Sequence, residues 1–260
     1  MTNPRVLFVD DDPSIRQLVE LALEELDIEL VICASAAEAR QALRQAPVKL
    51  LITDLMMPLE SGFDLLQQLQ DDPGLRAGAL QVVFSAGLMN ADNRARLAHL
   101  DIWRELPKPI SVLDLEKCVM DALAQPEAAA APATPPGGIE STPASAAPAA
   151  SADSAALAIA RNFGGDEVLY RAFLDVCVEQ FPSDMADAEK SLAQRDATTL
   201  RRVAHNLKSV LFTLGRESAS EKARALEVAA MAGDWDAAAA CWPSVRQALG
   251  AMTAPSARDR

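Results

Sequence analysis

The chain has 260 residues, 50% of them hydrophobic and only 4% aromatic, and a formal charge of −13. That length suits one large domain or two ordinary ones. The acidity, with no basic patch, argues against nucleic-acid binding, and no apolar run approaches the roughly 18 residues of a membrane span. Two histidines are too few for a zinc site to be expected, and the scattered Cys33, Cys118, Cys177 and Cys241 read as reduced core residues. Met1-Thr2-Asn3-Pro4-Arg5 runs straight into a strand without a secretory pattern, so a cytoplasmic protein is expected.

In chain order, short apolar runs predict strands at Val6–Asp10, Glu29–Cys33, Leu50–Asp54, Gln81–Ser85 and Ile102–Leu106. Helical patterns lie between them, near 13–26, 35–46, 62–70 and 90–99, with a last one near 111–124. Several strands are continuously apolar, which suits a parallel sheet covered on both faces. Repeated β-α units predict a doubly wound α/β domain over residues 1–124, whose ligands bind beyond the carboxyl ends of the strands. Residues 125–153 break the pattern, with eleven alanines and six prolines. They read as a flexible linker. From Ser154 onward the pattern is helical throughout, with helices near 154–162, 166–195 (a bend at Pro182 is open), 196–215, 217–231 and 234–249. Gly215 and Gly233 follow helix ends. An antiparallel bundle over 154–251 and a frayed tail over 252–260 are expected.

Asp10, Asp11, Asp54, Ser85 and Lys108 fall at or just after predicted strand ends. An Asp run after a strand is often only a helix cap. Here the ordered set on successive strand ends argues for a site. Three carboxylates converging there repel one another, and a hard divalent cation such as Mg²⁺ removes that penalty. Asp54 could then attack phosphorus, with a lysine and a hydroxyl meeting the added charge.

Residues 4–124 resemble a response-regulator receiver domain. The resemblance rests on Val9-Asp10-Asp11-Asp12-Pro13, Thr53-Asp54-Leu55-Met56-Met57-Pro58, Ser61-Gly62, Ser85-Ala86 and Lys108-Pro109. It implies a flavodoxin-like sheet of order 2-1-3-4-5 and makes Asp54 the phosphoacceptor. It also implies that Asp10, Asp11 and the Met56 carbonyl bind metal with Asp54, that Ser85 bonds the phosphoryl group, and that Lys108 pairs with it. The family often has an aromatic ring where this chain has Glu105, which puts the usual aromatic switch in question. Trp103 is expected on the same strand face, chiefly as core packing.

His205 stands mid-helix in His205-Asn206-Leu207-Lys208-Ser209. A neutral imidazole accepts phosphoryl well near pH 7, provided it is exposed and near cations. Helical spacing puts Arg201, Arg202, Lys208 and Ser209 on or beside its face. Residues 155–250 resemble a histidine phosphotransfer domain, whose pattern His-x-Leu-Lys-Gly is met here except for Ser209, with Leu214-Gly215 closing the helix. The resemblance implies that His205 is phosphorylated and that Lys208 steadies the phosphate. Ser209 is expected to back-bond to the His205 carbonyl and to alter transfer kinetics. His99 reads as a surface residue.

The expected function is a two-component phosphorelay. A sensor histidine kinase loads Asp54, and His205 exchanges phosphate with the chain's own receiver or with a downstream one. A receiver-gated adaptor that relays no phosphate, and a phosphate sink, are the alternatives. No nucleotide-binding glycine loop of a kinase is evident.

Overall fold

The protein is described by a computed structural model over residues 3–86, 91–125 and 154–253. The expected linker, apart from Gln125, and the tail beyond Thr253 lie outside the described residues.

The first unit runs β1 (Arg5–Val9), α1 (Pro13–Leu23), β2 (Glu29–Cys33), α2 (Ala36–Gln45), β3 (Leu50–Asp54), α3 (Gly62–Asp71), a single turn α4 (Pro73–Arg76), β4 (Leu80–Ala86), α5 (Ala91–Leu97), β5 (Arg104–Lys108) and α6 (Val112–Ala124). All strand pairs are parallel, in the order β2-β1-β3-β4-β5. Strand alternation sorts the core into two layers. Val6, Phe8, Leu50, Ile52, Val82 and Phe84 pack under α1 and α6. Leu7, Val9, Leu51 and Val83 pack under α2 and α3. The side chains of Asp12, Ser35, Ser61 and Ser111 cap the first turns of α1, α2, α3 and α6.

The edge strand departs from the expected bounds. β5 begins at Arg104 and ends on Lys108, because β4 pairs with it from Val82↔Arg104 to Ala86↔Lys108. Pro107 is tolerated because an edge strand has one side with no ladder partner. Trp103 therefore precedes the strand instead of sharing a face with Glu105; the Arg104 guanidinium stacks on its ring at 4.5 Å.

The second unit is helical: α7 (Ala155–Asn162), α8 (Glu167–Gln194), α9 (Ala197–Thr213), α10 (Glu217–Ala232) and α11 (Trp235–Thr253). α8 runs on through Pro182 as one helix. Asp166 and Asp196 cap α8 and α9. Gly215 takes φ +72, and a Cβ there would come within 2.7 Å of Ala158 and of the Ser154 carbonyl, so glycine lets α9 close against α7.

The two units pack together. α1 lies against α8, and one continuous apolar core runs from Ile15 and Leu18 of the first unit to Phe173, Cys177 and Phe181 of the second. Gly164 also sits on the Leu113 side chain, with a Cβ position only 2.9 Å from it. No described helix is long and apolar enough to cross a membrane.

Candidate functional site

The parallel sheet delivers every group of the first site to its carboxyl edge. Asp10 and Asp11 follow β1, Asp54 ends β3, Ser85 lies near the end of β4, and Lys108 ends β5. One carboxylate oxygen from each of Asp10, Asp11 and Asp54 lies within 4.8 Å of the others. Lys108 Nζ stands 3.1 Å from Asp54 Oδ1 and 3.4 Å from Asp10 Oδ2.

Burial sets the electrostatics. It pushes the Asp10 carboxyl up to about 8, with Lys108 opposing and Asp54 adding to the rise. Burial and then Asp54 also raise Asp11. Asp54 moves the other way: burial resists its ionisation, but Lys108 and then His205 outweigh burial and hold it below the usual carboxylate range. Burial opposes the charge on Lys108, yet Asp10 and Asp54 keep it firmly protonated.

Three converging oxygen donors fit a hard divalent cation. Asp11 Oδ1 supports that fit, being buried with no hydrogen-bond partner in the protein. Gly62 sets the depth of the site. A Cβ on it would collide with the Asp54 carbonyl, so only glycine brings the start of α3 this close. The Met56 backbone N–H donates to the Asp54 carboxylate. Ser85 is buried, and its hydroxyl donates to Glu105 instead of to Asp54.

The second site is built on α9 and α10. His205 Nδ1 lies 2.7 Å from Glu227 Oε1. Lys208 Nζ lies 2.7 Å from Glu227 Oε2 and 3.3 Å from His205 Nδ1. Burial disfavours a charge on Glu227, but the His205 bond and then Lys208 overcome it and hold the carboxyl at about 2. The other imidazole nitrogen, Nε2, is buried with no partner. Ser209 Oγ donates to the His205 carbonyl at 3.2 Å, the expected back-bond.

One expectation about this face is not met. His205 is only 7% exposed, because the first unit covers its face while Glu227 and Lys208 enclose Nδ1. Arg202 turns to Asp187, 3.5 Å away, and no described hydrogen bond or ion pair brings Arg201 or Arg202 to the imidazole. His99 is exposed, as expected.

The two sites face each other. His205 stands near enough to Asp54 to act on its carboxyl. Asn206, beside His205, donates its amide to Asp11 Oδ2 at 3.4 Å. Sequence reasoning assigned no role to Glu227 or Asn206. A signal for Glu227 was present: it shares a helical face with Ala223, Leu226 and Ala230, all buried, and an acid on such a face requires a partner.

Comparison with known proteins accords with this geometry. A family model for the response regulator receiver domain matches residues 6–120, and one for the Hpt domain matches residues 172–254. Response regulator protein PilR of Pseudomonas aeruginosa is 31% identical over 51% of this chain and 29% of its own length. Virulence sensor protein BvgS of Bordetella pertussis is 32% identical over 78% of this chain, a stretch reaching both units, and 16% of its own length. The chain thus spans under a third of either relative. By these two matches the chain carries a response regulator receiver domain over residues 6–120 followed by an Hpt domain over residues 172–254.

Proposed function

We propose that this chain is a two-component phosphorelay protein in which Asp54 and His205 exchange a phosphoryl group within one molecule. A partner phosphohistidine on a sensor histidine kinase supplies Asp54, and His205 passes the group to, or takes it from, a partner receiver. One observation carries the reading: the turn of α9 that bears the buried His205 seats on the acidic cluster of the receiver, where Asn206 donates to Asp11 Oδ2 at 3.4 Å. We place the protein in the cytoplasm, a reading supported by four unpaired cysteines.

Mg²⁺ held by Asp10, Asp11, Asp54 and the Met56 carbonyl would offset their repulsion and draw charge from the phosphoryl oxygens. The chain's own groups do the rest. Lys108 pairs with the phosphoryl group, and Ser85 turns from Glu105 to donate to it. Glu227 accepts the Nδ1 proton of His205 in a hydrogen bond, which leaves the lone pair on Nε2. A P–N bond forms at Nε2 while the P–O bond to Asp54 breaks, and the electron pair returns to the Asp54 carboxylate. Glu227 meets the positive charge that develops on the ring, and Lys208 steadies the transferred phosphate. A buried interface suits this step because it excludes competing water.

The test is radiolabelled transfer from acetyl phosphate with Mg²⁺ in wild type, Asp54→Asn and His205→Gln. Acid-labile, base-stable label on His205 that disappears in Asp54→Asn is the expected result. Label confined to Asp54 in the wild type would remove the intramolecular relay and favour a sink or an adaptor.

A further inference from the structure

Asn206 is the residue after the phosphoryl-accepting histidine, and its side-chain hydrogen bond leaves its own unit altogether. It ends on Asp11, one of the three carboxylates that converge at the sheet edge. The bond uses Oδ2 and leaves Oδ1, buried and without a protein partner, for a cation. An amide that grips one carboxylate oxygen fixes the rotamer and orients the other oxygen, as outer hydrogen bonds do for metal ligands generally. Helix α9 therefore supplies part of the support for a metal site that belongs to the other unit.

We propose that Asn206 couples divalent-cation binding to docking, so that the helical unit seats on the receiver more tightly when the Asp10, Asp11 and Asp54 cluster is loaded, and the cluster binds its cation more tightly when the helical unit is seated. This rests on the metal-dependent relay reading above. The physical basis is linkage. Without a cation, α9 docks against three crowded carboxylates, and Asn206 must hold Asp11 against the repulsion of its neighbours. With the cation, Asp11 is already held in the orientation that Asn206 recognises. Reciprocity requires that whatever factor docking adds to cation affinity, the cation adds to docking. A relay built this way favours closure on a receiver that is ready for phosphoryl chemistry.

The experiment is Mg²⁺ titration calorimetry on the full chain, wild type against Asn206→Ala, with X-ray scattering of each protein with and without saturating Mg²⁺. Among the described residues the Asn206 side chain bonds to no other part of the helical unit, so the variant keeps its fold, which circular dichroism verifies. The Mg²⁺ dissociation constant is expected to rise about three- to tenfold in Asn206→Ala, the scale of one hydrogen bond's typical net contribution. The wild type is expected to compact on adding Mg²⁺, and the variant to compact less. Equal Mg²⁺ affinities in the two proteins, or equal compaction, would overturn the coupling. Acetyl phosphate labelling of wild-type Asp54 reports separately on the relay: loss of that label removes the relay reading without touching a measured difference in Mg²⁺ affinity.

Discussion

Replacing Glu227 with glutamine removes the charge that joins His205 to Lys208 while keeping a side chain of the same size. The carboxyl is held at about 2 instead of 4.5, and its side chain is only 11% exposed. That difference corresponds to roughly 3 kcal/mol of stability at neutral pH. Because the carboxyl is depressed in the folded state, its contribution is present above pH 4.5 and lost as pH falls toward 2; at pH 3 about half should remain. Urea unfolding, followed by the fluorescence of Trp235 and Trp242 in a Trp103→Phe background, would measure it. Glu227→Gln should unfold more easily at pH 7, and the gap from wild type should narrow by about half at pH 3. The same variant should slow transfer between Asp54 and His205 by roughly 10²-fold, because a preorganised anion no longer meets the charge developing on the ring. Unchanged stability at pH 7 together with unchanged transfer would refute the role given to Glu227.

Three other substitutions test other parts of the structure. Gly62→Ala places a Cβ against the Asp54 carbonyl; thermal melts should show a loss of about 1–3 kcal/mol, and Asp54 labelling should fall with it. Asp184, on the α8 side that meets Asp12, is pushed up to about 6, chiefly by burial, so its ionisation weakens the folded state as pH rises from 3.8 through 6. Asp184→Asn should therefore stabilise the protein at pH 7 by about 1–3 kcal/mol, an advantage that denaturant titrations should find gone below pH 4. Glu105→Gln leaves Ser85 bound to a neutral group; the aspartyl phosphate on Asp54 should last several-fold longer in a decay assay, since no carboxylate then competes for the hydroxyl or repels the phosphoryl group. An unaltered decay rate would separate Glu105 from phosphoryl retention.

Much of the first site was legible because it stands on strands whose apolar runs announce their own ends. Leu50–Asp54 is wholly buried and ends on the acid it delivers. β5 was harder to read. Its sequence, Arg104-Glu105-Leu106-Pro107-Lys108, has one buried side chain and a proline, so the apolar signal sat two residues too early, at Ile102 and Trp103. His205 and its back-bonding Ser209 were readable from helical spacing. Glu227 was not found, since it acts from another helix, 22 positions along the chain. The contact of Asn206 with Asp11 spans 195 positions, a pairing that no local pattern encodes. The burial of His205 escapes local pattern for the same reason: part of what covers it comes from the other unit and part from Glu227 on another helix.

The apolar core that runs without a break from α1 into α8 has a consequence for how copies of this chain meet. Parting the units exposes a greasy face on each, and each face already matches its counterpart on a second molecule. Because both units belong to one chain, each can meet its counterpart at an effective concentration of up to about millimolar order. Below that concentration a molecule closes on itself. In concentrated solution the same surfaces would be free to pair between molecules, which size-exclusion chromatography over a concentration series would detect.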